Sequence, residues 1–178
     1  MPNATLPSTQ SISMVRAGVH VELPAQKPNS ITGPKFPMWV VPIQKIVQWD
    51  RMQTHEQLQE DGTLVQYVEG MGEVLFISHT WLDFAFPDTD SNVKLKLLQK
   101  LIDAIIAGKC NVNANWSIQL QTKHAWRVKA AAIKKAKYVW LDLASIPQAK
   151  EAAADQILAI QSIPHYIGAT SFFVVLAG

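Results

Sequence analysis

Cysteine is nearly absent from this 178-residue chain: Cys110 stands alone, so no disulfide can form within it. That fits a reducing compartment, and a cytoplasmic protein is expected. Long apolar runs are missing too. None approaches the ~20 residues a membrane helix needs, so no membrane span is expected. The first residues lack a basic region followed by an apolar one, which argues against a signal peptide. Charge is scarce, at 17% of residues with a net of +2, which excludes a strongly polyionic or wholly disordered chain. There is no P-loop, no Gly-x-Gly-x-x-Gly and no Gly-x-Ser-x-Gly elbow.

Apolar residues make up 48% of the chain, enough for one domain with a core and a tail. Seven of the ten prolines fall in the first 42 residues. Residues 1–37 therefore read as an irregular, proline-rich tail, with at most a short edge strand over Val19 to Leu23. Residues 38–72 read as a helical lead-in with a short strand. Pro42 to Trp49 holds a helical turn. Thr54-His55-Glu56-Gln57 has the capping-box pattern, Gly62 stops that helix, and Leu64 to Val68 is strand-like. Residues 73–178 alternate in type: a strand at Glu73 to Ile77, helices over about 92–107 and 118–136, a strand at Tyr138 to Leu143, a helix over 151–163 and a strand at Ser171 to Leu176. Asp90 or Ser91 caps the first of those helices and Gly108 ends it. Ile157, Leu158 and Ile160 face inward on the last helix, which Pro164 kinks or ends. Such alternation predicts right-handed crossovers and a parallel sheet.

Two of these strands are continuous apolar runs, which need cover on both faces. Each ends at once in hydrogen-bonding side chains: Ser78-His79-Thr80-Trp81 after the first, Asp142 through Gln148 after the second. Ligands of open parallel sheets sit beyond the strands' carboxyl ends. The candidate ligand-binding residues are therefore Ser78, His79, Trp81, Asp83, Asp142, Ser145 and Gln148. Trp81 could stack on a planar ring, and Asp142 could accept from ribose hydroxyls. A Ser-His-Asp hydrolase fits poorly, because Ser78 and His79 are adjacent and point to opposite faces of an extended strand. Asp88-Thr89-Asp90 suits a helix cap better than a cation site, and no metal is expected. His124, Trp116 and Trp126 read as packing residues. Ten Lys/Arg and one acid, Asp103, lie between Lys94 and Lys137. That segment reads as a solvated face rather than a nucleic-acid site, since no nucleic-acid motif accompanies it.

Phe76-Ile77-Ser78-His79 resembles the first-strand signature of Toll/interleukin receptor (TIR) domains, Phe-Ile-Ser followed by Tyr or His. Tyr138-Val139-Trp140-Leu141-Asp142, with Ile146 and Gln148 after it, resembles the central motif of heterokaryon-incompatibility (HET) domains, Trp-Ile-Asp followed by Ile-x-Gln. Ser78 and Trp81 similarly match that family's Ser-Tyr-x-Trp. The resemblance covers residues 73–178. It implies a flavodoxin-like α/β fold, a three-layer sandwich with a mostly parallel sheet and the first strand central. It also implies either NAD⁺ cleavage, at a pocket spanning Ser78 to Asp83, or self-association and recruitment of other TIR/HET-like domains in signalling. The glutamate of the cleaving members lies on a helix after the third strand. Here only Ala177 and Gly178 follow that strand, and Glu151 lies before it. The expectation is thus a truncated member with no assigned catalytic residue and no bound cofactor, NAD⁺ being a ligand or substrate. Its open sheet edge would be covered by another copy or by the N-terminal segment. The leading reading is an association module with a nucleotide crevice. An NAD⁺ glycohydrolase in defence or cell-death signalling is the alternative, and an anion- or nucleic-acid-binding protein using the 94–137 helices is a third.

Overall fold

The computed structural model describes residues 12–16, 33–79, 88, 90–110, 112–113, 127–128 and 130–176. Its strands are β1 (Ile12–Arg16), β2 (Trp39–Pro42), β3 (Val65–Gln66), β4 (Glu73–His79), β5 (Val112–Asn113), β6 (Arg127–Val128), β7 (Ala136–Leu141) and β8 (Phe172–Leu176). Its helices are α1 (Ile43–Ile46), α2 (His55–Glu60), α3 (Val93–Ile106), α4 (Ala130–Ile133), α5 (Asp142–Ser145) and α6 (Ala153–Ala169), with a 3₁₀ turn at Lys150–Ala152 before α6. None is long and apolar enough to cross a membrane.

The protein is α/β, built on a sheet of order β1-β8-β4-β7-β2, to which the two-residue β3 adds beyond β2. β4 lies at the centre and runs parallel to β7 and β8. β1 and β2 flank this trio antiparallel, so the sheet is mixed rather than mostly parallel. The flanking strands come from the proline-rich leader and the lead-in. Each covers an edge that three parallel strands would leave unpaired. The edge strand is Ile12–Arg16, while Val19 to Leu23 lie outside the described residues. Pro42 ends β2 on an extended backbone (φ −57°, ψ 130°) and α1 starts directly after it, where its fixed φ fits and its missing N–H costs no helical bond.

The continuous apolar runs are explained by two cores, one on each face. Leu75, Ile77, Val139, Leu141, Phe172, Val174 and Leu176 pack with residues of α1, α2 and α3. Val74, Phe76 and Trp140 pack under α6, against Ala159 and Tyr166. Alternation along each strand divides its side chains between these faces. On the α6 side an aromatic ladder crosses the three parallel strands. Phe76 stacks on Trp140 at 4.2 Å and on Phe173 at 5.2 Å, and Tyr166 tilts onto Trp140 at 5.9 Å. The lead-in residues Met38, Val40, Ile43, Ile46, Leu58 and Leu64 are buried in these same cores.

Local signals explain several boundaries. Thr54 and Gln57 form the expected capping box, and Gly108 leaves α3 at φ +67°. The α3 cap comes from the expected Asp88-Thr89-Asp90 run, though from Asp88 rather than from Asp90 or Ser91. Asn92 sits in the left-handed region and makes no side-chain cap, while Asp88 accepts from the N–H groups of Lys94 (3.0 Å) and Leu95 (2.8 Å). A carboxylate at this positive helix end suits both the orphan donors and the dipole.

Three other expectations are corrected. No continuous helix spans 118–136: Arg127–Val128 pairs with Val112–Asn113, in the expected polar loop, and among the described residues of this stretch Ala130–Ile133 is helical, while 118–126 lie outside the described residues. Lysines at helical spacing do not force a helix where a strand partner is present. The second strand ends at Leu141, and Asp142–Ser145 turns into α5. Finally, α6 starts later than expected and runs through Pro164 to Ala169, with Ala159, Ser162 and Tyr166 inward. Ile157 and Ile160 are 55% and 51% exposed, and Leu158 is exposed beside them. Tyr166 and Ser162 set this rotation. The Tyr166 hydroxyl donates to the Phe36 and Pro37 carbonyls, and Ser162 Oγ accepts from the Lys35 and Phe36 N–H groups.

These packing differences have a measurable consequence. Phe76→Ala should cost about 3–5 kcal/mol of unfolding free energy in urea titrations, as deletion of a buried ring does. Ile157→Ser should stay within about 0.5 kcal/mol of the parent, as an exposed position does. Equal costs would refute the assigned rotation of α6.

Candidate functional site at the strand ends

The parallel register places the polar strand ends side by side. Ile77 pairs with Leu141, so Asp142, the next residue, is level with the end of β4. His79 pairs with Leu176 at the end of β8. Across the gap between β4 and α5, His79 Nε2 lies 2.9 Å from Asp142 Oδ1. That oxygen also accepts from the Leu143 N–H at 2.7 Å, which fixes the carboxylate at the first turn of α5. The His79 side chain is 1% exposed and Asp142 30%. When the ring is neutral, Nε2–H donates to the carboxylate and Nδ1 becomes the acceptor. His79 Nδ1 is buried and has no hydrogen-bond partner among the described residues. A ring held in this way can accept one hydrogen bond, or one proton, at a defined atom.

Of the expected site residues, the structure brings together His79 and Asp142. Ser78 ends on the opposite face, as strand alternation requires. Ser145 is buried, and its Oγ accepts from the Leu141 N–H at 3.2 Å, which closes α5 on itself. Gln148 Nε2 donates to the Ile146 carbonyl at 2.8 Å, so its side chain folds back on its own loop. Ser145 and Gln148 thus hold backbone. Trp81 and Asp83 lie outside the described residues, as do Trp116, His124 and Trp126.

Three residues of the neighbourhood were not singled out by the sequence. Glu56, on α2, accepts from the N–H groups of Gln148 (2.6 Å) and Ala149 (2.7 Å), so it clamps the loop after α5. Burial pushes its carboxyl up, but the bonds from Ala149, Gln148 and Thr54 outweigh burial, and its pKa lies below the ordinary value. His55 is buried edge-on to Trp39, and its Nδ1 has no hydrogen-bond partner among the described residues. Burial lowers its pKa, although the Glu56 charge and the nearby Ala144 and Ser145 backbone pull the other way. Lys94 is 1% exposed, with Nζ 3.5 Å from the Leu176 carbonyl at the end of β8. The signal for Lys94 was its spacing, since it falls on the stripe of Leu97, Leu98 and Leu101. By contrast Lys96, Lys100, Lys109, Lys134, Lys135 and Lys137 are exposed, as a solvated basic face would be. Glu56 gave no such signal, because its partners are backbone groups far along the chain.

Compared with protein-family models, with curated proteins and with solved structures, the chain matches none. Its site is therefore read from its own geometry. The carboxylates described around the strand ends are all engaged. Asp88 holds α3, Glu56 holds the loop after α5, and Asp142 holds both α5 and His79. No cluster of three metal-ligating side chains occurs among the described residues.

The Glu56 clamp predicts a pH dependence. Its pKa is depressed on folding, so its stabilisation is present above the unfolded carboxylate value of about 4.3 and is lost as pH falls through the folded value. The lowered pKa of His55 adds a loss of stability as pH drops below about 6.5. Urea midpoints of Glu56→Gln should change less than those of the parent between pH 5 and pH 3. Parallel curves would show that the clamp contributes nothing.

Proposed function

We propose that the chain is a TIR/HET-like module that binds a nucleotide, NAD⁺ or an ADP-ribose fragment of it, at the carboxyl ends of β4 and β7, and that it acts by association rather than by cleavage. The observation that carries this reading is the His79–Asp142 pair. It joins the ends of two adjacent parallel strands, the position where open sheets of this kind hold ligands. A carboxylate fixed there, 30% exposed, can accept from ribose hydroxyls. The resemblance of Phe76-Ile77-Ser78-His79 and of Trp140-Leu141-Asp142 to the TIR and HET motifs favours a nucleotide over other ligands. It favours a flavodoxin-like arrangement as well, with the three parallel strands as its common part.

Two features support binding without turnover. Glycosidic cleavage needs a carboxylate positioned for the developing positive centre, whereas Asp88 and Glu56 are committed to backbone groups and Asp142 Oδ1 to His79 and the Leu143 N–H. Glu151 is exposed on the 3₁₀ turn before α6. Association is supported by the outward row Ile157, Leu158 and Ile160, which stands on a helix whose only acid or base of full charge is Asp155. Exposed apolar residues gathered in this way mark contact surfaces.

Calorimetric titration of the full chain with ADP-ribose and with NAD⁺ tests the proposal. One-to-one binding is expected, weakened about tenfold or more in Asp142→Asn, the cost of losing a charged hydrogen-bond partner. No nicotinamide should appear in the NAD⁺ samples. Absence of binding to either ligand would remove the nucleotide reading. Release of nicotinamide that Asp142→Asn abolishes would replace it with the glycohydrolase.

A further inference from the structure

A concavity lies on the α6 side of the sheet and shares no residue with the strand-end set. It measures about 630 Å³ and opens between the approach to β2, the exit of β3 and the end of α6. Pro34, Pro37, Tyr67, Glu69, His165 and Tyr166 are among its walls. Its size falls within the range of ligand sites.

The walls are preformed. Tyr166 donates through its hydroxyl to the Phe36 and Pro37 carbonyls at 2.9 and 3.2 Å, which ties α6 to the leader. Lys35 and Phe36 donate to Ser162 Oγ from the same stretch. The Tyr67 N–H donates to the Met38 carbonyl at 2.7 Å, and the Tyr67 hydroxyl to the Gly72 carbonyl at 3.3 Å. Tyr138 meets the Tyr67 ring edge-on at 6.5 Å. The space exists because α6 carries Gly168 and Ala169 on this side; a Cβ built at Gly168 meets nothing within 4 Å.

The chemistry of the walls selects one charge. Among the described residues they carry aromatic, imidazole and proline rings and a single full charge, that of Glu69, with no lysine or arginine. Glu69 is exposed and forms no ion pair among the described residues. Burial raises the Tyr67 phenol pKa, and the Glu69 and Glu73 carboxylates raise it further, so the local potential is negative. Ring faces and a carboxylate together favour a cation with a flat body over a compact ammonium, and a guanidinium also matches the carboxylate fork.

We infer that this cavity receives an arginine side chain of a partner peptide, its guanidinium against the Tyr67 and His165 rings and facing Glu69. The test uses the full chain, ¹⁵N-labelled, titrated with N-acetyl-arginine methylamide and, separately, with its uncharged citrulline counterpart. Saturable shifts are expected at Tyr67, Glu69 and Gly168 with the arginine probe alone. Glu69→Gln, an exposed substitution, should weaken binding at least roughly threefold. Gly168→Leu should abolish it by filling the space while leaving the fold intact, since leucine is the better helix former. Equal binding of citrulline, absence of saturation, or undiminished binding by Gly168→Leu would each overturn the assignment.

Discussion

Everything at the strand ends depends on the register of three parallel strands. Phe173, Phe76 and Trp140 stack across β8, β4 and β7 on one face, while Leu75, Ile77, Val139 and Leu141 fill the other. A slip of one residue would carry each apolar side chain to the wrong face. Because both faces are buried, the cost of such a slip falls on two cores at once. The register then decides the polar geometry. With Ile77 opposite Leu141 and His79 opposite Leu176, the imidazole of one strand end and the carboxylate after the next meet at 2.9 Å.

Carboxylates act as clamps throughout this structure. Asp88 gathers two N–H groups at the start of α3, Glu56 gathers two from the loop after α5, and Asp142 gathers one from α5 together with His79. Each satisfies donors that would otherwise be orphaned near a buried surface. A carboxylate that accepts hydrogen bonds from the backbone is fixed in position. The leader and lead-in serve the same end. They supply β1 and β2 at the sheet edges and tie α6 in place through Ser162 and Tyr166.

Much of this was legible in the sequence. Glu73 to Ile77 and Tyr138 to Leu141 read as doubly covered strands, and they are. The capping box at Thr54 and the stop at Gly108 were local signals with local causes, and both hold. Non-local effects were less legible. β2 occupies four residues, two of them valines, and becomes a strand because β7 offers an edge. The 118–136 helix read from spaced alanines and lysines gives way to a strand pair at Arg127–Val128. On α6 the bulky isoleucines Ile157 and Ile160 lose the interior to Ala159, Ser162 and Tyr166, because two polar side chains there satisfy the backbone of a distant segment. In the site, His79 and Asp142 announced themselves by following apolar runs, whereas Glu56 accepts from main-chain groups 92 and 93 residues away in sequence and leaves no pattern.

The most direct test of the strand-end geometry is ¹⁵N NMR of the His79 imidazole above its titration range, with the signal assigned by its loss in His79→Gln. The structure predicts a single tautomer, protonated at Nε2 and bare at Nδ1, which Asp142→Asn converts to a mixture of the two. A ring protonated at Nδ1, or one unchanged by Asp142→Asn, would mean that the two strand ends do not meet as described.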